Sequence, residues 1–314
     1  MMQLESIIEG KRVCVTGGAG FIGSNLAEVL AKKNDVVVID NLLTGHRSNL
    51  DNIECKFIEG SINDLDKLRE ALTGADYVLH QAALPSVPRS VEDPMPSNLN
   101  NVEGTLNVLM MARKCNVKKV VSASSSSVYG DTPIMPKVET MMLNPQSPYA
   151  VTKMAAEQYC RVFWKNYRLP TAALRYFNVF GPRQDPNSQY APVIPKFIQL
   201  AKEGKKVIVY GDGEQTRDFT FVKDVVQANL KAAVDSVSNG EVFNIARQDR
   251  ISLNDLATMI FGQLGKKVQI DYQPERAGDI KHSLADIVKA RTLLGYKPEY
   301  TIEQGIELTI ASMK

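Results

Sequence analysis

Along the first 180 residues, short β-branched runs each end in a turn and give way to an amphipathic stretch before the next run begins. The runs are Arg12 to Thr16, Val36 to Asp40, Cys55 to Ile58, Tyr77 to His80, Lys119 to Ala123 and Ala172 to Tyr176. A strand with one wet face would alternate apolar and polar residues, so these near-continuous runs predict parallel strands covered on both faces. The stretches between them carry helical stripes: Val102, Leu106, Leu109 and Met110 share one face, as do Ala156, Cys160, Phe163 and Tyr167. Such stripes pack on the sheet or on a second copy of the chain. The alternation predicts an α/β fold, a Rossmann doubly wound parallel sheet built from βαβ units.

After Gly181 the run GPRQDPNSQYAPVIP is too rich in turn formers to continue the rhythm. The reading places the doubly wound domain at 1–180, with a return segment near 219–250. A smaller C-terminal α/β substrate domain takes 181–218 and 251–314. The elements after Gly181 are a strand at Val207 to Tyr210, a loop GDGEQTRDF, a helix from about Val222 to Val234, a strand at Val242 to Ile245 and two C-terminal helical segments. A length of 314 residues accommodates both units.

Composition narrows the function. The 37 basic and 35 acidic residues are interspersed, leaving a net charge of +2 and no polyanion-binding face, so nucleic acid is not an expected partner. Cys14, Cys55, Cys115 and Cys160 form no CxxC pair and no His cluster, so neither a disulfide framework nor a metal site is expected. With no signal-peptide core and no run long enough to span a membrane, a cytoplasmic protein is expected.

The first strand runs directly into Thr16-Gly17-Gly18-Ala19-Gly20-Phe21-Ile22-Gly23, which satisfies GxGxxG and GxxGxxG at once. A tight turn needs a glycine at positive φ, a pyrophosphate needs the backbone bare of Cβ, and helix must pack closely on strand. The next helix aims its positive end at the phosphates. Asp40 ends the second strand, where a carboxylate holds the adenosine ribose and repels a 2′-phosphate, favouring NAD over NADP. Arg47, nearby, is the residue type NADP would want.

Tyr149 and Lys153 form YxxxK, and the i, i+4 spacing puts phenol and ammonium on one helical face. A free tyrosine ionises near pH 10, so a neighbouring ammonium and a positive nicotinamide ring are needed to make it a base at neutrality. Ser125, just past the fifth strand, is placed to hydrogen-bond the same substrate oxygen.

In this order, these motifs resemble the extended short-chain dehydrogenase/reductase family, and within it the nucleotide-sugar 4-epimerases, closest to UDP-N-acetylglucosamine 4-epimerases. The resemblance spans nearly the whole chain: TGGAGFIGSN, HQAALPSVPRS, NNVEGTLNV, SSSSVYGD, SPYAVTK, RYFNVFGPRQ, YGDGEQTRDF and ERAGDIKHSLAD. It implies cofactor contacts from Gly17, Gly20, Phe21, Ile22, Gly23, Asp40, Asn41, Ile62, Ala82, Asn100, Tyr149, Lys153 and Tyr176. Ser61 stands where the family usually has the adenine-contacting Asp of GDI.

Related 4,6-dehydratases carry an Asp-Glu pair where this chain has Ser126 and Ser127, and UDP-glucuronate decarboxylases an acid at the position of Ser127. Without those acids the site has no evident group for elimination, which leaves reversible oxidation of a UDP-sugar at C4. The resemblance implies a 4-keto sugar that turns and takes hydride back on its other face. Arg217 and Arg276 match the family's phosphate-binding arginines, Asn178 supports the pyrophosphate, and Tyr210 and Gln215 lie by the uridine. Ser86, Arg89, Ser90, Gln184, Val193, Lys196 and Asp279 fall at further sugar-nucleotide positions. Ser283 occupies a site where epimerases restricted to UDP-glucose and UDP-galactose carry a bulky Tyr, so it leaves space for a 2-acetamido group. UDP-glucose and UDP-glucuronate 4-epimerases remain open, as does a redox sensor that binds NAD without turnover. A homodimer is implied, through the helices after Asn100 and Tyr149.

Overall fold

The computed structural model describes residues 3–187, 192–275 and 281–313. Seven parallel strands form the central sheet: β1 (Arg12–Thr16), β2 (Asp35–Asp40), β3 (Lys56–Glu59), β4 (Tyr77–His80), β5 (Lys119–Ser125), β6 (Thr171–Tyr176) and β11 (Glu241–Ile245). Their order is β11-β6-β5-β4-β1-β2-β3. The order reverses direction between β1 and β4, where a doubly wound sheet opens a crevice at the strands' carboxyl ends.

Alternate residues of one strand enter opposite cores. Val13, Val15, Val36 and Val38 pack with Leu26 and Leu30 of α1 (Phe21–Leu30) and with Val225 and Ala228 of α8 (Val222–Val234). Cys14, Val37 and Ile39 face the other way. They meet Leu68 and Leu72 of α2 (Leu65–Leu72), Val108 of α5 (Gly104–Lys114), and Cys160 and Phe163 of α6 (Pro148–Tyr167). Both faces are dry, so the strands read as continuous apolar runs rather than alternating ones. Between β4 and α5 lie α3 (Val87–Glu92), α4 (Pro94–Asn98) and a π-helical turn, Leu99–Glu103.

A third apolar cluster gathers α7 (Val193–Lys202), α9 (Leu253–Gln263) and α11 (Ile302–Ser312) around Phe180, Val207, Val209 and Phe221. Those four belong to β7 (Val179–Phe180), β8 (Val207–Tyr210) and β10 (Thr220–Phe221). Strand β8 pairs in parallel with β13 (Ile270–Gln273). Three helices follow β11 rather than the expected two, because α10 (Val288–Leu294) is a short additional turn against the sheet. The GDGEQTRDF segment is not all loop: β9 (Thr216–Arg217) pairs antiparallel with β12 (Ile251–Ser252). No described helix is long and apolar enough to cross a membrane.

The stripes on α5 and α6 divide. Leu109, Ala156, Cys160 and Phe163 are buried in the core, whereas Met110 and Tyr167 are about half exposed. Tyr167 instead stacks on Phe163, 4.9 Å between ring centroids, beneath the Arg113 guanidinium.

Two glycines test this packing in opposite directions. A Cβ at Gly23 would sit 2.2 Å from the Gly17 carbonyl oxygen, whereas at Gly262, inside α9, it would meet nothing within 4 Å. Thermal unfolding is expected to show Gly23→Ala destabilised by about 2–3 kcal/mol and Gly262→Ala stabilised by about 0.5 kcal/mol.

Candidate active site

The glycine loop crosses from β1 to α1 with Gly17 at φ +68°, a conformation that L side chains rarely adopt. A Cβ there would also lie 2.6 Å from the Ala82 amide nitrogen, so the loop needs glycine for both conformation and space. Gly20 caps α1, whose first-turn amides have no intrahelical acceptors and face the crevice as an anion cradle. At the end of β2, Asp40 accepts hydrogen bonds from the Ala19 amide (2.9 Å) and the Leu42 amide (2.8 Å). Burial raises the Asp40 pKa, and these main-chain bonds oppose the rise. Its carboxylate thus orients the loop while lining the crevice.

One cleft runs from this loop to the catalytic helix. Its walls include Gly17, Gly20, Phe21, Ile22, Gly23, Asp40, Asn41, Ser61, Ile62, Ala82, Asn100, Tyr149, Lys153 and Tyr176, together with Thr44, Gln81, Ala83, Leu84, Pro85 and Ser124. Arg47 is not among the lining residues. Its guanidinium lies over the Phe57 ring, 4.6 Å from the centroid, so it is not turned toward a 2′-phosphate. The bare glycine backbone, helix terminus and Asp40 carboxylate fit a dinucleotide without a 2′-phosphate. Ser61 Oγ accepts from the Asn63 amide at 3.1 Å, so the residue that replaces the usual Asp also fixes its own turn.

Helix α6 starts at a Ser147 cap with Pro148 in its first turn, which sets Tyr149 at the mouth of the cleft. Burial raises the Tyr149 pKa, and the neighbouring Ser125 side chain opposes the rise. Lys153 donates to the Ala123 carbonyl at 3.0 Å, and its ammonium is 5.9 Å from the Tyr149 ring centroid. Burial pushes the Lys153 pKa down to about 8, against the attraction of Glu157. The triad can therefore deliver and remove a proton at one substrate oxygen.

The model of the NAD dependent epimerase/dehydratase family matches residues 13–246. The chain belongs to this family. A putative UDP-glucose 4-epimerase of Methanocaldococcus jannaschii is 40% identical over 306 residues, covering 96% of this chain and 98% of its own. The solved UDP-N-acetylglucosamine 4-epimerase from Methanobrevibacter ruminantium M1, in complex with UDP-N-acetylmuramic acid, is 43% identical with a TM-score of 0.93, over 97% of this chain and 98% of its own. The UDP-glucuronic acid 4-epimerase from Bacillus cereus, in complex with UDP-glucuronic acid and NAD, is 34% identical with a TM-score of 0.88, over 96% and 98%. NAD is the cofactor of this family.

In this epimerase/dehydratase the residues expected at the sugar nucleotide do not all reach the cleft as free side chains. Ser90 is a correction. It is fully buried, with Oγ donating to the Val87 carbonyl (2.8 Å) and accepting from the Tyr149 amide (3.0 Å), so it supports Tyr149 instead of touching sugar. Ser86 caps α3 at φ 100°, a strained backbone for a residue with a side chain, and accepts from the Arg89 amide. Ser126 and Ser127 form a tight turn after Ser125; Ser127 Oγ is buried and has no partner among the described residues, as is true of Gln184 Oε1. Asn178 donates to the Asp218 carbonyl (2.9 Å) and to Ser283 Oγ (3.2 Å).

Tyr210 and Gln215 line a second cavity with Lys281 and His282, and Gln215 donates to the Tyr210 carbonyl at 2.7 Å. Arg217, on β9, donates to the Lys281 carbonyl at 3.2 Å. Val193 and Lys196 lie on the first turn of α7. Arg276 and Asp279 lie outside the described residues.

Sequence reasoning missed the scaffolding. Asn101 clamps the Leu84 amide (2.7 Å) and carbonyl (3.2 Å) and donates to Thr152 of α6 (3.0 Å), tying the cleft wall to the catalytic helix. His80 sits between Thr16 and Thr105 hydroxyls, and burial pushes its pKa down to about 3, so it stays neutral. The repeated Asn100-Asn101 was the available signal. Titration of NAD and NADP into cofactor-stripped protein is expected to favour NAD, and Asp40→Ala to weaken NAD about tenfold or more; equal binding of both cofactors by the wild type would contradict this account of Asp40.

Proposed function

We propose that this protein is a UDP-sugar 4-epimerase acting on the UDP-GlcNAc/UDP-GalNAc pair, with UDP-glucose and UDP-galactose as accepted alternatives. The observation that carries the reading is the convergence of Tyr149, Ser125 and Lys153 in a cleft where serines, not acids, follow Ser125. Tyr149 takes the proton from the C4 hydroxyl, and Ser125 holds that oxygen. The Lys153 ammonium stabilises the phenolate, aided by the positive nicotinamide. Bound NAD supplies the hydride acceptor, and later the donor, at C4. Tyr149 then returns the proton to the O4 oxygen of the turned sugar, whose opposite face at C4 would take the hydride. With no carboxylate at Ser126 or Ser127, elimination and acid-assisted decarboxylation lack their catalyst.

The acetamido preference rests on Ser283. Its hydroxyl accepts from Asn178 and the Asp218 amide, and its side chain is far smaller than the Tyr that glucose-restricted epimerases carry at this position. The 43% identical UDP-N-acetylglucosamine 4-epimerase supports the same choice. The UDP moiety falls to residues of 181–218 and 251–314, with Arg217 on the pyrophosphate. A homodimer is supported by the outward Leu99, Met110, Val151 and Val162 on the π-helical turn, α5 and α6; sedimentation at micromolar concentration is expected to give twice the chain mass.

Incubation with UDP-GlcNAc, UDP-Glc and UDP-glucuronate, without reductant, is expected to give UDP-GalNAc at the highest kcat/KM. Exclusive formation of UDP-galactose would refute the Ser283 account, and no product with added NAD would favour the sensor. Tyr149→Phe should lower kcat by about 10²-fold or more. Ser283→Tyr should remove the acetamido sugars and keep UDP-Glc turnover. Because the ammonium is the useful form of Lys153 and its pKa is lowered to about 8, activity should fall as the pH rises through that value.

A further inference from the structure

Three consecutive residues at the end of β5 grip three turns of α6. The Ala123 carbonyl accepts from Lys153, Ser124 Oγ donates to Glu157 Oε1, and the Ser125 side chain lies beside the Tyr149 phenol and lowers its pKa. Tyr149, Lys153 and Glu157 stand at i, i+4 and i+8, on one face of the helix. The Glu157 side chain is wholly buried and paired with Arg175 of β6, Nε to Oε1 at 2.9 Å and Nη2 to Oε2 at 2.8 Å. Arg175 is itself held by the Tyr129 hydroxyl (2.8 Å), which donates to Asn244 of β11 (2.7 Å). The carboxylate is thus locked by three strands, and Ser124, its partner on β5, also lines the cofactor cleft.

We propose that Glu157 is a positioning residue for the reaction: by bridging Ser124 and Arg175 one turn beyond Lys153, it sets the register of α6 on β5 and provides the counter-charge of the Lys153 ammonium. The role rests on reading Tyr149 and Lys153 as the proton-transfer pair. A buried ion pair does not need to exist for stability, since apolar replacements of similar volume often serve as well. This one stands between the strand that carries Ser125 and the helix that carries Tyr149.

The other titratable groups around Lys153 offer it no negative charge at neutral pH. Burial pushes the Cys160 thiol on α6 up to about 12 and the His80 imidazole on β4 down to about 3, so both are neutral. Burial also keeps the Tyr149 phenol protonated until an additional positive charge arrives. Arg175 on β6 is a cation held by Glu157 in a bidentate pair, so the one carboxylate both screens Lys153 from that guanidinium and attracts the ammonium through space. Attraction to Glu157 is the leading influence that opposes the desolvation of Lys153.

The test combines an NMR titration of ε-13C-labelled lysine, with Lys153 assigned through Lys153→Arg, and the pH profile of UDP-sugar epimerisation. In Glu157→Gln the Lys153 midpoint should fall by about one pH unit, and the alkaline limb of kcat should follow it while KM stays within about twofold of wild type. Glu157→Asp keeps the charge but not the reach to both partners, so the midpoint should hold while kcat drops about tenfold. An unmoved midpoint in a folded Gln variant overturns the proposal. If the Gln variant does not fold, the Asp variant decides: wild-type kcat overturns the proposal, and a tenfold loss at an unmoved midpoint upholds it. A midpoint that moves in a protein whose wild type turns over no UDP-sugar upholds the coupling of Glu157 to Lys153 and overturns its role in epimerisation together with the epimerase reading.

Discussion

Everything chemical in this protein depends on how α6 lies across the carboxyl end of β5. That contact joins two sequence-distant segments, Ala123–Ser125 and Tyr149–Glu157, and brings the Lys153 ammonium to 5.9 Å from the Tyr149 ring centroid with Ser125 beside the phenol. It is dry, so each polar group there must be paired, and each is worth more electrostatically than it would be in water. Breaking the Glu157–Arg175 pair by removing one partner leaves a buried charge alone, at a cost of about 3–5 kcal/mol.

The same burial works against the reaction until cofactor is present. Desolvation raises Tyr149 and lowers Lys153, so each group is pushed toward its neutral form. A positive nicotinamide ring bound in the cleft would favour the phenolate form and so oppose the effect of burial on Tyr149. The neutral His80, held between two threonines beneath the cleft, adds no charge to this balance.

Much of this was legible before the structure. The strand runs, the glycine loop and YxxxK are local patterns with fixed geometric meaning, and the structure gathers the expected cofactor residues around one cleft. Ser90 shows where that legibility stops. Its motif context made it a sugar contact, yet its hydroxyl is used up by the Val87 carbonyl and the Tyr149 amide. Whether a serine touches ligand or backbone depends on which segment packs over it. The extra helix α10 and the β9–β12 pair went unread for a related reason: they are short, and tertiary contacts rather than periodicity hold them.

By itself the sequence determined the α/β alternation, the double-faced burial of the strands, the phosphate-binding loop, the preference of Asp40 against a 2′-phosphate, and the spacing of the tyrosine–lysine pair. These are set by chain geometry within some twenty residues of one another. Only the tertiary structure decided that Arg47 turns away onto Phe57, that Ser283 folds back on Asn178, and that Glu157 closes the catalytic helix onto the sheet. Those outcomes depend on contacts between residues far apart in the chain, where burial and competition for hydrogen-bond partners choose among side chains that look alike in sequence.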